Sequence, residues 1–181
     1  MTTPTPTTYL GQALQAPAVQ LANCAPFRAL VGAATPAAAL DRILLWDPGI
    51  DYEADQSTFR ATAMSGAAIN LTDGGAWAHC GMDMPSMTST QTIPHQFERA
   101  GSMLIRLAIP RPAGHPAQAF IAAADIVGAI ETAYLGTFGS GTYLSMPAGD
   151  VRAEFPPQPP PRSWASGLLF AHLTIDWRSL P

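Results

Sequence analysis

The chain has 181 residues, a length that suits one domain and is too short for two domains of ordinary size. Only 12% of the residues are charged, about half the usual share for a soluble protein, and 48% are hydrophobic. The formal net charge is −4 and all nine basic residues are arginine, which disfavours a generic nucleic-acid-binding surface. Such a composition is typical of a protein that is buried in a partner, is part of an assembly or is poorly soluble alone.

The N-terminal residues and the cysteines indicate where the chain folds. Residues 1–8 are mostly Thr and Pro, which predicts a disordered arm. They have neither the basic nor the apolar region of a signal peptide, so none is expected. Cys24 and Cys80 are the only cysteines, which excludes a secreted disulfide framework. We therefore expect the protein to be made in a reducing cytoplasm.

Short helices are predicted first. Apolar residues recur at helical spacing over residues 9–31, but Pro17 and Pro26 are expected to cut this segment into short pieces because proline disrupts a helix interior. A second helix is predicted over 36–42, with Thr35 as its N-cap and a proline at its first position.

A strand is predicted over 43–46 and is followed by a long loop insertion, residues 47–96. Within it, residues 57–72 are ambiguous, because alternating and extended patterns are both present. Residues 73–96 are rich in Gly, Met, Ser, Thr and Pro, so we predict a long loop there. Loops of this length in a compact domain usually serve a function or an interaction.

The clearest elements are a strand over 96–109, a helix over 116–135 and a closing strand over 168–177. The acidic residues Asp125 and Glu131 interrupt the apolar stretch of this helix, so we do not expect the helix to span a membrane. Its predicted apolar stripe consists of Phe120, Ala124, Val127, Ile130 and Tyr134. The predicted core face of the closing strand consists of Leu169, Ala171, Leu173, Ile175 and Trp177.

Shorter strands are predicted near 142–146 and 151–155, followed by a stiff connector at Pro156–Pro161. Together these elements predict that residues 9–181 form a single α+β domain. Its mostly antiparallel sheet is expected to pack with one long helix and with short N-terminal helices.

The sequence contains no catalytic motif that we identify, and we predict no catalytic residue, cofactor or metal. The acidic segment with Asp51, Glu53 and Asp55 imitates the start of a calcium loop. However, Gln56 occupies the position that requires Gly, and Thr62 the position that requires Glu. We interpret the segment as a solvated loop or a charged contact to a partner, with a weak divalent-ion site as the alternative.

The segment His79–Met87 combines imidazole, thiol and thioether groups, with three methionines at Met82, Met84 and Met87. Soft donors of this kind suit Cu(I), but methionine is also the residue of adaptable contact surfaces. We favour an interaction loop, and a small ligand- or metal-binding domain is the alternative. Two tryptophans that we expect to be exposed are further interface candidates: Trp77 and Trp164.

Polar residues share one face of the closing strand: His172, Asp176 and Arg178. Arg106 lies on the polar side of its own strand and is positioned to meet a carboxylate of this face. Cross-strand pairing at a solvent or subunit surface is the favoured interpretation. The alternative is an acid/base pair, His172 with Asp176, in a hydrolase or transferase.

Three pieces of the chain carry a resemblance to a known family. The first is Leu21–Gly32 followed by Ala37–Trp46, and the second is Phe97–Ile109 followed by the helix Ala117–Leu135. The third is the strand Leu168–Arg178, which ends in the pattern Ile-Asp-Trp-Arg. In order and spacing these pieces resemble the tail-terminator (tail-completion) proteins of tailed bacteriophages.

The resemblance implies a virion protein that forms a homohexameric ring, terminates the tail tube and joins it to the neck. Its partners would be the tail tube protein and a head–tail connector, with no catalytic residues and no membrane. Residues 47–96 and Pro156–Pro161 depart from the family pattern, so a minor tail protein or another neck protein is an alternative. The acidic loop and residues 73–96 would then reach neighbouring rings.

Overall fold

The computed structural model describes residues 9–45, 60–93, 96–135, 150–159, 163 and 165–179. The predicted arm, the acidic segment and the strand predicted near 142–146 lie outside these residues. In chain order the helices and strands are α1 (Tyr9–Asn23), α2 (Ala25–Val31), α3 (Pro36–Ala39) with a 3-10 turn at Leu40–Arg42, β1 (Ile43–Leu45), β2 (Arg60–Thr62), β3 (Ala68–Asn70), β4 (Trp77–Ile93), β5 (Gln96–Pro110), α4 (Pro116–Leu135), β6 (Asp150–Glu154) and β7 (Leu168–Ser179).

Five strands form one mixed sheet in the order β1-β4-β5-β7-β6. β1 runs parallel to β4, and the other three pairings are antiparallel. β2 and β3 form a separate antiparallel pair. The predicted α+β fold, with a mostly antiparallel sheet, one long helix and short N-terminal helices, is therefore confirmed.

The first face of the sheet is covered by helices, and this layer is the larger hydrophobic core. Alternate side chains of β5 and β7 enter it, as their period of two predicts: Ile105, Leu107, Ile109, Leu169, Ala171, Leu173 and Ile175. The helices contribute Leu21, Phe27, Val127, Ile130 and Tyr134. The predicted core face of the closing strand is confirmed for Leu169, Ala171, Leu173 and Ile175.

α4 packs on this face with a stripe that is shifted by one residue at its N-terminal end from the predicted stripe. Ala119 and Ala123 are buried there, followed by Val127, Ile130 and Tyr134. Phe120, which the pattern placed in the core, is instead 41% exposed and contacts Phe155 at a ring-centroid distance of 4.5 Å. Both stripes are apolar, so the composition of the helix does not distinguish them.

The second face of the sheet has its own, smaller core. The β2–β3 pair and the turn at 165–167 cover it, and its members include Leu44, Leu71, Trp77, Ala108 and Phe170. Trp77 is fully buried and meets Phe170 edge to face, with ring centroids 5.8 Å apart. The sheet is thus buried on both faces at the end where β1 joins it.

The N-terminal helices follow the sequence signals with one exception. Thr35 caps α3 by accepting a hydrogen bond from the Ala38 N–H, and Gly32 ends α2 with a φ of 69°. Pro17, however, lies inside α1 and does not divide it. The residues around it are buried in the first core, and burial of this kind outweighs a local propensity.

β4 is the main element that the sequence pattern does not reveal. The long loop predicted over 73–96 is wrong, because residues 77–93 form a strand that pairs with β5. Its register with β5 shifts between Gly81 and Ser86, next to Pro85, which has no N–H to donate to a ladder. The irregularity and the scarcity of alternating apolar residues conceal the strand.

The side chain of Gln158 attaches the proline-rich connector to the sheet. The Gln158 amide donates to the carbonyl oxygens of Pro156 (2.7 Å) and Phe170 (3.0 Å), and it accepts from the Phe170 N–H (2.8 Å). β6 ends at Glu154, and the prolines that follow lack the N–H groups needed to continue its ladder. The side chain of Gln158 therefore extends the ladder along β7 in place of backbone.

We expect Gln158→Ala to lower the free energy of unfolding by ~2 kcal/mol, and Tm by about 4–8 °C, because the variant leaves the Phe170 backbone groups without these partners. Denaturant unfolding and thermal scans measure this loss. The control is Gln118→Ala, at an exposed glutamine on α4, which should stay within about 0.5 kcal/mol of the parent. Equal stability of the two variants would contradict the role of Gln158.

Candidate functional site

Four polar residues lie side by side across four strands on the second face of the sheet. His79 of β4 is the register partner of Arg106 of β5, which is the partner of His172 of β7, which is the partner of Glu154 of β6. We call these four residues the polar row. Arg106, which was expected to meet a carboxylate of the closing strand, is instead opposite His172, and the carboxylate of the row comes from Glu154 of β6.

The polar row lies directly beside the second core. One step along the strands is an apolar row in which Trp77, Ala108 and Phe170 are register partners and are buried. The apolar row fixes the face on which the polar row lies, because residues two apart on a strand point the same way. His79 is 8% exposed, and Arg106 and His172 are partly buried.

The backbone pairing brings Arg106 and His172 close together. Phe170 directs both its N–H and its C=O to Gln158, on the β6 side of β7. The backbone groups of His172, two residues further on, point to the same side. Opposite β5, His172 therefore forms a non-hydrogen-bonded pair with Arg106, the arrangement in which facing side chains are closest.

Two interactions define the geometry of the row. The Nε–H of Arg106 donates to Nε2 of His172 at 3.2 Å. On the other side of the ring, Nδ1 lies 3.6 Å from Oε1 of Glu154, whose side chain is 56% exposed. Because arginine can only donate, Nε2 carries the lone pair, and the proton of the neutral ring lies on Nδ1, facing the carboxylate.

This geometry does not suit the acid/base role considered for His172. A general base needs a free ring nitrogen within reach of substrate, and the Nε2 lone pair is directed at Arg106. The proposed partner Asp176 is four residues along the same strand, ~13 Å away at strand spacing. It is the register partner of Ser102 and of Asp150. The pairing of His172 with Asp176 is therefore wrong.

The soft-donor cluster predicted at 79–87 is divided by the sheet. His79 lies on the second face, whereas Cys80 is buried in the first core. Within the described ranges, no three His, Cys, Asp or Glu side chains come together in a way that could hold a metal ion. His79 and His172 are separated in the row by Arg106, a cation that disfavours metal binding between them.

The remaining predicted interface residues have different outcomes. Trp77 is not an exposed anchor, because it starts β4 with its ring in the second core. The backbone of Met82, Met84 and Met87 lies in strand β4, and that of Arg178 lies in β7. The predictions for Asp51, Glu53, Asp55 and Trp164 fall outside the described residues.

The outer face of α4 is a second candidate surface. Six exposed residues follow one another at helical spacing along it, and we call them the α4 outer face: Gln118, Ile121, Asp125, Ala129, Thr132 and Leu135. Ile121 is 61% exposed and Leu135 is 43% exposed, and together with Phe120 they are the exposed large hydrophobic residues of the described chain. α4 has no basic residue, and its acidic residues are Asp125 and Glu131.

α4 also resembles a membrane-spanning helix in simple respects. By length and composition it is the one helix in the described part of the chain that could cross a membrane. Core helices of soluble proteins share these properties, and five residues of α4 are buried in the first core. The carboxylate of Asp125 lies near the middle of its exposed side, where a lipid environment would be costly.

The two buried cysteine thiols have raised pKa values. Burial raises the pKa of Cys24 to about 11, against a smaller opposing effect of Arg28, and burial raises the pKa of Cys80 further still. Burial also raises the pKa of Tyr134, and the two nearby thiols add to that shift. All three lie in the first core and show no sign of the lowered pKa that a nucleophilic cysteine needs.

Sequence reasoning missed Glu154 and His79 as members of the row. The two interactions of the row join residues that are far apart in the chain, Arg106 with His172 and His172 with Glu154. The sequence did signal two of the four residues, because Arg106 and His172 are polar residues on the face of their strands opposite the regularly spaced core residues. The register that joins them depends on strand pairing, which the sequence pattern does not specify.

Comparisons with known proteins give no relative. No protein-family model matches the chain, and neither a curated protein nor a solved structure is similar to it.

We expect the free energy of unfolding to fall as the pH rises from 9 to 11. In this range the unfolded chain releases its thiol protons, near the ordinary pKa of 9.0, while the folded protein retains them. Cys24 alone should account for ~2 kcal/mol of this loss. Denaturant unfolding under reducing conditions, repeated at each pH, measures it.

Cys80→Ala serves as the matched variant for this prediction. Whatever stability it loses at pH 8, its stability should decline less steeply above pH 9 than that of the parent, because one titrating group is gone. Identical slopes for the two proteins would show that the buried thiols do not titrate as their surroundings indicate.

Proposed function

We propose that this chain is a structural subunit that assembles into a homo-oligomeric ring at the head–tail junction of a tailed bacteriophage. In this role it terminates the tail tube and contacts the tube protein on one side and a neck protein on the other. The assembly part of the proposal rests on the outer face of α4. The virion part rests on the resemblance of the sequence pattern to tail-terminator proteins.

The observation that carries the proposal is that α4 leaves large apolar side chains exposed on its outer side, between polar ones. Its inner stripe packs in the first core, and its outer face presents Ile121, Ala129 and Leu135 to solvent. Large apolar side chains that are left exposed on one face of a helix mark an interaction site. A neighbouring subunit would bury this side as well.

A protein neighbour fits this surface better than a lipid bilayer. Asp125 is exposed in the middle of the α4 outer face, and Glu131 is half-buried one turn and a half further on. In a bilayer both carboxylates would be unpaired in hydrocarbon, whereas a protein partner can supply donors for them. The absence of lysine and arginine from α4 also removes the usual interfacial anchors of a membrane helix.

A ring follows if the α4 outer face packs against a different surface of the next subunit. Such a heterologous contact closes into a ring when the rotation between neighbours divides a full turn. The low charge of the whole chain is consistent with this arrangement, because each subunit would bury two separate patches. The proposal assigns no chemistry to the polar row.

We expect Ile121→Asp to raise the protein concentration at which half the subunits are assembled by at least about tenfold, because it places an additional carboxylate, without a partner, in the contact. Native mass spectrometry and light scattering over a concentration series measure this shift, and negative-stain images show whether the particles are rings. Since Ile121 is 61% exposed, the monomer should keep its Tm.

The control is Ala37→Asp, which adds the same charge at an exposed position of α3, away from α4. It should assemble like the parent. A parent protein that stays monomeric at every concentration, or equal assembly of the two variants, would contradict the role of the α4 outer face.

The virion part of the proposal has its own test. Quantitative mass spectrometry of purified tailed virions that encode this chain should find it at the copy number of one hexameric ring, far below that of the tail tube protein. Its absence from virions, or a copy number similar to that of the tube or the capsid shell, would contradict the placement while leaving self-assembly unaffected.

A further inference from the structure

One side of β4 has no neighbouring strand over most of its length. β1 pairs with β4 only from Ala78 to Cys80, whereas β4 continues to Ile93. Among the described residues, β5 is the one strand that pairs with β4 beyond this point. After the register shift, the pairing with β5 is regular from Ser86 to Gln91. We call residues 86–93 the β4 edge.

The pairing pattern shows which backbone groups of the β4 edge point away from the sheet. Phe170 of β7 directs its N–H and C=O to Gln158, away from β5, so its register partner Ala108 directs its own groups to β4. Because β5 pairs with β7 without interruption, every second residue of β5 from 98 to 108 does the same. Their partners on the β4 edge are residues 86, 88 and 90. The residues whose N–H and C=O point outward are therefore Met87, Ser89 and Gln91.

The β4 edge lacks the features that normally protect an exposed strand from pairing with another chain. Short length, charged residues and prolines give this protection. The other two edge strands have it, since β1 is three residues long and β6 is five residues long with charges at Asp150, Arg152 and Glu154. The eight residues of the β4 edge include no charge, proline or glycine, and four of them are β-branched. This composition is typical of segments that pair with their own copies.

We propose that the β4 edge is an interaction surface for a second copy of this chain, with the two β4 edges paired antiparallel about a two-fold axis at Ser89. In this register Met87 of one copy exchanges backbone hydrogen bonds with Gln91 of the other, and Ser89 does so with Ser89. All the outward-pointing groups from 87 to 91 then have partners. The contact uses the same surface on both copies, so it closes as a dimer.

Two properties of the β4 edge favour its own copy as the partner. The edge has no charge, so the pairing brings no like charges opposite one another. The register also places Thr88 of one copy opposite Thr90 of the other at non-hydrogen-bonded positions, where cross-strand threonine pairs are favourable. A partner strand in this register has its Ile93 opposite Pro85, and it therefore ends before Cys80, where β1 is paired.

The inference goes beyond the proposed ring and does not depend on it, because the contact is made by β4 instead of α4. The proposed α4 contact joins two different surfaces, whereas the β4 contact joins two identical ones. Ile121→Asp, which is directed at the α4 contact, leaves the β4 edge unchanged. The two contacts can therefore be measured separately.

Sedimentation velocity of the full-length Ile121→Asp protein over a concentration series tests the contact without assembly through α4. This protein should form dimers. Adding Ser89→Pro should raise the dissociation constant at least about tenfold, because both N–H groups of the pair on the axis are lost. The monomer should keep its Tm, since this N–H is not used in the pairing with β5. An Ile121→Asp protein that is monomeric at every concentration, or a dissociation constant unchanged by Ser89→Pro, would overturn the proposal.

A second variant controls for a local effect of proline on the strand. Ser89→Lys keeps every backbone group and places two ammonium groups opposite each other at the axis, so it should also weaken the dimer. The matched control is Thr62→Lys, which adds the same charge at an exposed position of β2 and should leave the dimer unchanged. Equal dimerisation of the two lysine variants would contradict the role of the β4 edge.

Disulfide cross-linking tests the register. In the proposed pair the Cα atoms of residue 88 in one copy and residue 90 in the other are ~4.5 Å apart, whereas those of the two residues 88 are ~8 Å apart, too far for a disulfide. An equimolar mixture of Thr88→Cys and Thr90→Cys should therefore form a covalent dimer in oxidised glutathione, and neither variant should do so alone. Cys24 and Cys80 are buried and should not react. A mixture that forms no covalent dimer, or equal yields from the mixture and the single variants, would overturn the two-fold register.

Discussion

The pairing of β5 with β7 determines most of the structure. The two strands are in continuous register from Pro110 opposite Leu168 to Arg99 opposite Ser179, in the middle of the five-stranded sheet. Along this pair apolar residues alternate between two cores, and Arg106 and His172 occupy one step of the second face. A slip of one residue would turn the side chains of the slipped strand to the other face and place its polar residue in the first core without the partner, a cost of several kcal/mol. Burial of the apolar residues on the first face of the sheet therefore sets the register that brings Arg106 and His172 together on the second face.

The regular spacing of apolar residues decides how much of the fold could be predicted from the sequence. β5, β7 and α4 were predicted close to their observed bounds, because each has a long and regular apolar pattern. β4 was missed, because Pro85 and the register shift beside it interrupt the pattern that would have shown a strand. Trp77 was expected on the surface, because no local signal reveals the smaller core that covers it. For the candidate site, single residues such as His172 could be recognised, but their partners could not.

The difference between Phe120 and Ala119 shows a further limit of sequence reasoning. In a helix where most residues are apolar, neighbouring stripes are almost equally hydrophobic, so the face that enters the core depends on the shape of the sheet beneath it. The sheet selects the stripe of small residues at the start of α4, where Ala119 and Ala123 allow close approach. The larger Phe120 is directed sideways to Phe155. The apolar residues that are left outside form part of the surface on which the proposed assembly depends.

The low number of charged residues bears on both the polar row and the α4 outer face. With 22 residues of Asp, Glu, Lys and Arg in the whole chain, from 9 basic and 13 acidic, few are available to keep exposed faces soluble. Several of these few are engaged in pairs that fix strand or loop positions, as in the row at His172 and in the ion pair of Arg42 with Asp73 at 2.9 Å. The chain uses some of its charges to join its own elements and leaves a long helix face nearly without them, which is consistent with the proposed assembly. In the proposed subunit the polar row would orient β6 on β7, next to α4, through the contact of Glu154 with His172.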